Sequence, residues 1–397
     1  TDDRWIVPHF EKMLYDNILF VNLLGQFYLE QPEDYYRHKL IQTVEFVNKS
    51  FKNKNNLLGS AYDADSEGVE GKYYIWDDKE LRKELGKDYD LFAKYFDISE
   101  NGNWEGTNIL IEKSIKPLKD DFFKLNEIKN KLLKIREKRV LPFFDDKAQI
   151  DLNAYWLSTL NFIAEVLDKE EWRVLAEDNF KLIDNQIADG VFHCYKDKEG
   201  VKVFLEDYVY LAQLMIDLYE TTGKTNYLNN AEQIMEKTWN LFYDKNHKIL
   251  QKNPINENDL FVPPSDINDH NIPNGNSIFL INCKKLESIT GENKWKDISK
   301  ELAQSFHSFL NLNSTQMISY IKNLNICEEL TTFTFFGNFE KYKNIHNYIK
   351  NKYLKSSTLI YKDDPNDDYL IVCKNQTCSN KIKTLEALKL VEKNYVI

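Results

Sequence analysis

The sequence predicts an all-α fold: an (α/α)6-type toroid of helical hairpins with short β-hairpin loops and a small C-terminal β-α-β appendage. Three observations predict it. Beyond residue 148, apolar residues recur at helical spacing in segments parted by short polar breaks. The segments alternate in character. Residues 205–219 are apolar nearly all round (Leu205, Val209, Leu211, Ala212, Leu214, Met215, Ile216, Leu218), as a doubly buried inner helix requires, whereas 227–242 is one-sided, as suits an outer helix. The turn Thr222-Gly223-Lys224-Thr225-Asn226-Tyr227 also returns as Thr290-Gly291-Glu292-Asn293-Lys294-Trp295. Each copy is a helix stop, a C′-type glycine and the first aromatic of a returning helix.

In chain order, residues 8–30 are expected to form one helix. Pro8 suits a first helical position, where its missing N–H is not needed. Phe10, Met13, Leu14, Ile18, Val21, Leu24, Gly25 and Tyr28 then form a buried stripe, and His9, Lys12 and Asp16 a second one. A helix N-terminus there would keep His9 neutral. Asp34 opens the returning helix, with Tyr36, Leu40, Val44 and Val47 on its apolar face. Residues 57–76, with Gly59, Gly68 and Gly71, lose the helical period and read as a short two-stranded loop. Short helices follow over 77–96, then a turn at 101–106, a strand at 108–111 and a charged helix at 120–138. Helices are next expected near 148–167, 171–187, 206–222, 226–243, 276–290 and 294–311. The tail changes to strands at 331–337, 358–361 and 369–373 around a helix at 339–353. The division expected is a toroid domain, 1–325, and an α/β appendage, 326–397. Fewer than six clear hairpins are present, so ring closure is expected to need upstream helices. A chain that starts without Met inside a motif reads as a fragment.

With 397 residues, 42% of them hydrophobic, a sizeable core is within reach. A net charge of −11 argues against a nucleic-acid partner and against an anionic membrane surface. Five cysteines, Cys194, Cys283, Cys327, Cys373 and Cys378, are odd in number and sparse, which fits a reducing, cytoplasmic location. Cys373 and Cys378 lack the second ligand pair that zinc would want. No metal or cofactor is expected. G-x-x-x-x-G-K-[ST], G-x-G-x-x-G and G-x-S-x-G are all absent, leaving a nucleotide triphosphatase or a serine esterase without support.

Candidate chemistry sits in the charged blocks that fall in loops and at inner-helix starts, where a ring would open its cavity. The catalytic candidates are His9, Asp63, Asp65 and Asp146: an imidazole for proton transfer, two carboxylates on one side of an extended loop, and a carboxylate before a helix. The substrate-binding candidates are Glu11, Lys12, Glu67, Glu105, Arg139, Asp145, Asn153, Asp207, Tyr208, His270 and Asn276. Plainer roles compete: a polar turn at 63–68, helix capping by Asp145, Asp146, Asp207 and Asn276, and a Lys12–Asp16 ion pair.

The blocks Arg4-Trp5-Ile6-Val7-Pro8-His9-Phe10-Glu11-Lys12-Met13-Leu14, Asp63-Ala64-Asp65-Ser66-Glu67-Gly68, Glu70-Gly71-Lys72-Tyr73-Tyr74-Ile75-Trp76, Glu105-Gly106-Thr107-Asn108, Leu205-Glu206-Asp207-Tyr208 and Pro273-Asn274-Gly275-Asn276-Ser277 occur in that order. In this the chain resembles the family of spermatogenesis-associated protein 20 and its bacterial relatives. The resemblance implies a thioredoxin-like domain followed by an (α/α) toroid, whose ring is similar to those of N-acylglucosamine 2-epimerases and six-hairpin glycosidases. It implies a sugar-like ligand in a central cavity. Carboxylates such as Asp63, Asp65 and Asp146 would perform hydrolysis, or histidines such as His9 and His270 proton abstraction beside a carbonyl. The alternative is a non-catalytic binding module that serves the thioredoxin-like domain. That domain is expected outside these residues, because the chain has no C-x-x-C. Where the family continues Ser-Trp-Asn-Gly, this chain reads Asp151-Leu152-Asn153-Ala154, which removes an aromatic platform from that rim.

Overall fold

The computed structural model describes residues 2–3, 5–113, 118–187, 190–195, 203–255, 267–353, 356–374 and 377–395; Arg4 of the opening block lies outside them. The chain begins with β1 (Lys12–Met13), α1 (Leu14–Glu30), α2 (Asp34–Ser50), β2 (Ala61–Tyr62), β3 (Asp65–Ser66) and β4 (Val69–Glu70). There follow α3 (Asp78–Leu85), α4 (Tyr89–Tyr95), β5 (Phe96–Asp97), β6 (Ile111–Glu112), α5 (Lys119–Arg136) and β7 (Phe144–Asp145). The helical part comprises α6 (Ile150–Leu167), α7 (Glu170–Ile187), α8 (Leu205–Thr222), α9 (Thr225–Phe242), the hairpin β8 (Tyr243–Asp244) and β9 (Ile249–Leu250), α10 (Gly275–Thr290), α11 (Asn293–Asn313) and α12 (Ile318–Glu329). The tail holds β10 (Thr331–Phe336), α13 (Lys343–Tyr353), β11 (Ser357–Lys362), β12 (Tyr369–Lys374), β13 (Thr377–Cys378) and α14 (Leu385–Tyr395). Two compact units result: Thr1–Met13 with Gly59–Asp146, and Leu14–Leu58 with Lys147–Ile397.

In the second unit, α1, α6, α8, α10 and α12 pack each on the next, and α2, α7, α9 and α11 each pack back on the helix before them. This is the wall of an (α/α) toroid, with inner helices alternating with outer ones. Burial follows the sequence pattern. α8 buries twelve of its eighteen residues on every side, while α9 buries only Tyr227, Ala231, Ile234, Met235, Thr238 and Phe242, one stripe at helical spacing. Among the described residues the wall contains four complete hairpins. The fifth inner helix, α12, leads into β10 instead of an outer helix.

The repeated hairpin turns behave as their glycines require. Gly223 (φ +70°) and Gly291 (φ +74°) end α8 and α10 in the left-handed conformation. A Cβ on Gly291 would meet nothing within 4 Å, whereas one on Gly223 would lie 3.3 Å from the Tyr361 ring. Gly291→Ala is therefore expected to cost only the backbone penalty, about 1–2 kcal/mol. Gly223→Ala should cost measurably more in the same urea titration; equal costs would show that Tyr361 yields freely.

The tail forms a four-stranded sheet in the order β11-β10-β12-β13, with β10 parallel to β11 and antiparallel to β12. It has a core of its own from Phe333, Phe335, Ile345, Ile349, Leu370, Val372 and Leu388. Cys373 and Cys378, opposite one another on β12 and β13, form a disulfide.

The first unit is built on the sheet β1-β2-β7 and on a separate core of Trp76, Leu81, Leu85, Phe92, Phe96, Leu125, Ile128 and Leu132. Here the expected helix over 8–30 is corrected. Lys12 and Met13 pair with Tyr62 and Ala61, and the helix begins only at Leu14. A strand partner in residues 61–62 takes the backbone groups that a helical turn would have used. Pro8 is therefore no first helical residue, and no helix N-terminus acts on His9. Asp145 is likewise a strand residue opposite Ala61, not a cap. The N-cap of α6 is Gln149 and that of α10 is Asn274, whose side chain accepts from the Asn276 N–H at 2.9 Å; Asn276 lies inside the helix.

Candidate functional site: a buried histidine between two aspartates

Three inner helices, α6, α8 and α10, begin around one cavity of about 240 Å³ in the second unit. Its lining includes Gln149 and Asp151 from the start of α6, Phe204, Leu205 and Glu206 from α8, and Asn274 before α10. The loops add His193, Lys252 and His270.

His193 is held there by its backbone. Its carbonyl accepts from the Ile150 N–H at 2.8 Å, and the Tyr195 N–H donates to the Ala148 carbonyl at 2.9 Å. The loop thus runs as a short antiparallel bridge along the approach to α6. His193 Nδ1 lies 3.0 and 3.2 Å from the two oxygens of Asp207, which is fully buried. With Nδ1–H donating to that carboxylate, Nε2 accepts from the Gln149 amide, 3.0 Å away. Asp207 also accepts from the Phe204 N–H at 2.8 Å, so it caps α8 and orients the imidazole at once. Asp151 completes the group, one of its oxygens accepting from the Leu152 N–H at 2.7 Å. One ligating atom from each of Asp151, His193 and Asp207 lies within 4.8 Å of the others. That is close enough to grip a divalent cation if Nδ1 gave up its proton.

The electrostatics follow from burial and like charge. Burial and the neighbouring Asp207 push the Asp151 carboxyl up to about 7. Asp207 is raised by burial, against the pull of His193 and the Phe204 N–H. For His193, burial disfavours the cation, but the Asp207 hydrogen bond and the surrounding carboxylates outweigh it, and its pKa rises. Glu206 is raised by burial, and one of its oxygens has no partner among the described residues. Perturbed acids and an oriented imidazole in a polar cavity are what proton transfer requires.

Of the residues singled out in the sequence, His270 lines this cavity and Asp207 stands directly behind it. Tyr208 is buried against Phe242 instead, and burial lifts its phenol to about 12. Asn153 and Asn276 spend their amides on backbone: Asn153 on both groups of Leu58, Asn276 on both groups of Leu250. The remaining candidates belong to the first unit. Its three-stranded sheet brings Lys12, Asp145, Asp146 and the loop from Asp63 to Asp65 together, the Asp63 N–H donating to the Phe143 carbonyl at 2.9 Å. His9 is exposed, 4.0 Å from Glu11. Glu67 pairs with Lys72 at 3.0 Å, and Glu105 sits in an exposed turn at φ +47°. Arg139 is fully engaged, donating to the Tyr73 and Ile75 carbonyls and to both oxygens of Glu80 while lying 4.1 Å over Trp76. Asp151, His193 and Glu206 were not picked out from the sequence as site residues. For Asp151 and Glu206 the available signal was a carboxylate at the second position of a helix; His193 lies in a loop and carried none.

No protein-family model matches the chain. The curated relatives are the ones its motif blocks anticipate. The chain is 25% identical to spermatogenesis-associated protein 20 of Mus musculus over 346 residues, covering 75% of this chain and 44% of that protein. The Homo sapiens protein is also 25% identical, over 347 residues and with the same coverage. An uncharacterised protein of Caenorhabditis elegans is 23% identical, over 78% of this chain and 48% of its own length. The chain thus spans under half the length of these relatives. Among solved structures it is similar to a D-mannose isomerase (10% identity, TM-score 0.43, 74% of this chain and 59% of that one). A cellobiose 2-epimerase from Bacillus thermoamylovorans gives 10%, 0.43, 75% and 61%, and a GH76 α-mannanase of Bacteroides thetaiotaomicron 12%, 0.45, 87% and 73%. These distant likenesses decide nothing about activity. No helix among the described residues is long and apolar enough to cross a membrane.

Proposed function

We propose that the cavity performs proton-transfer chemistry on a small neutral sugar-like molecule, with His193 as the base, Asp207 as its orienting carboxylate and Asp151 as the acid. The observation that carries this is the buried Asp151–His193–Asp207 group opening on a polar cavity. The cavity's 240 Å³ falls below the ~300–1,000 Å³ of sites for drug-sized ligands, which favours a ligand of monosaccharide size. Amide, carboxylate, imidazole and ammonium groups around Phe204, Leu205 and Pro273 suit hydroxyls on an apolar ring face. Transfer beside a carbonyl is favoured over glycoside hydrolysis. Asp207 is turned onto His193 and a backbone N–H, so it does not face Asp151 across a scissile bond as paired glycosidase carboxylates do. Two histidines, His193 and His270, share the lining.

The test is an aldose and ketose panel in D2O, followed by NMR for exchange of the hydrogen beside the carbonyl. Exchange that His193→Gln abolishes is expected; no exchange and no calorimetric binding across the panel would sink the reading. Roles for His9, Asp63, Asp65 and Asp146, a thioredoxin-like partner domain, a cytoplasmic location and a division at residue 325 remain parts of this proposal.

A further inference from the structure

In the first unit two cations stand on one aromatic wall with no acid beside them. Lys12 Nζ lies 3.5 Å from the centre of the Tyr74 ring and donates to the Phe10 carbonyl at 3.0 Å. The Arg136 guanidinium lies 5.3 Å from the Tyr73 ring and 5.5 Å from that of Tyr74. The rings are fixed by one another: Tyr73 meets Tyr74 edge-on at 5.0 Å, Phe10 stacks on Tyr74, and Trp104 closes on Phe10 at 5.2 Å.

Several other cations of this unit do have carboxylate partners: Lys72 with Glu67, Arg82 with Asp78, Lys94 with Asp121, Lys129 with Glu112, Arg139 with Glu80. Acidic residues outnumber basic ones, 63 to 52, so partners are plentiful. Yet neither Lys12 nor Arg136 has a carboxylate partner among the described residues, and Arg136 Nε is buried without any hydrogen bond. Glu11, next along the chain, pairs with His9 instead. The other titratable groups that bear on the site are Tyr62, Tyr73 and Tyr74, none of them anionic at neutral pH. Like charges gathered on a half-buried aromatic wall repel each other, and an anion between them removes the repulsion while adding charge-assisted hydrogen bonds. A cation held over a ring face also keeps its outward N–H groups free to donate.

We propose that Lys12 and Arg136 bind the oxyanion group of a small molecule, a carboxylate or a phosphate, against the wall of Tyr73 and Tyr74. Burial and Arg136 lower the Lys12 ammonium to about 8 in the free protein, which provides a readout independent of any activity.

The experiment titrates the Lys12 side chain by NMR in the full chain at fixed ionic strength, with chloride, inorganic phosphate or gluconate. With the preferred probe, phosphate or gluconate, the Lys12 titration is expected to move up by at least one pH unit relative to chloride, and the more potent probe identifies the oxyanion. Arg136→Gln is expected to raise the Lys12 titration of the free protein and to weaken binding at least tenfold. Lys12→Arg, which keeps the charge, should retain binding. A Lys12 titration indifferent to both anions, or equal affinity in a folded Lys12→Gln, Arg136→Gln double variant, would overturn the proposal.

Discussion

Asp151→Asn is expected to abolish turnover and to stabilise the protein at the same time. The loss of turnover follows from removing the acid, about 10²–10⁴-fold for a positioned proton donor. The gain in stability follows from linkage. In the folded chain the Asp151 carboxyl is held up to about 7, well above its ordinary value, by burial and by Asp207. The folded state therefore keeps a proton that the unfolded chain has already released between pH 4 and pH 7. The wild-type protein loses stability as pH rises through that window, on the order of 1.4 kcal/mol for each pH unit traversed. An asparagine cannot ionise, and its side-chain oxygen can still accept from the Leu152 N–H. The variant should match the wild type near pH 4 and exceed it by pH 8 in parallel urea titrations. A variant equally stable or weaker at pH 8 would mean that Asp151 carries its charge without penalty, and the proton-donor role would fail with it. Stability sacrificed for a poised group is common at functional sites.

The wall of helices was legible because its signal is local. Inner helices buried on all sides must be apolar on all sides, and the two glycine turns mark their ends within a residue or two. α12 was illegible for the opposite reason. Ile318 and Ile321 are exposed while Asn323 points inward and donates to the Ser277 carbonyl at 2.8 Å, so its period is inverted. The opening stretch misled because Phe10, Met13 and Leu14 fit a helix, while the residues that pull Lys12 and Met13 into a strand lie about fifty positions away. The site was legible only in part. Asp207 announced itself as an acid at a helix start. His193 acquires meaning only when the bridge from Ala148 to Tyr195 lays it against that acid, which no spacing in the sequence reveals.

At the other end of the inner helices a half-buried ion network holds the tail in place, and Lys285→Met is expected to cost about 3 kcal/mol, the low end of what leaving buried charges without their partner costs. Lys285 Nζ donates to Asp217 at 3.0 Å and to Glu220 at 2.7 Å, joining α10 to α8. Burial disfavours its charge, but the two carboxylates outweigh burial and raise its pKa, whereas burial raises that of Glu220 despite Lys285. Ser158 of α6 donates to Asp217 as well. Glu220 reaches into the tail, where its carboxylate accepts from the Leu359 N–H at 3.3 Å and its carbonyl from the Tyr361 hydroxyl at 2.6 Å. Methionine fills the volume but leaves Asp217 and Glu220 facing each other unpaired. Neutralising all three positions together, Lys285→Met with Asp217→Asn and Glu220→Gln, removes that penalty and keeps an acceptor for Leu359. The triple variant should recover most of the lost stability, since apolar replacements of whole buried ion groups are often neutral. Limited proteolysis should cut β11 faster in the single variant than in the triple. A single variant within about 1 kcal/mol of wild type would show that water screens the network and that β11 is held by its apolar contacts alone.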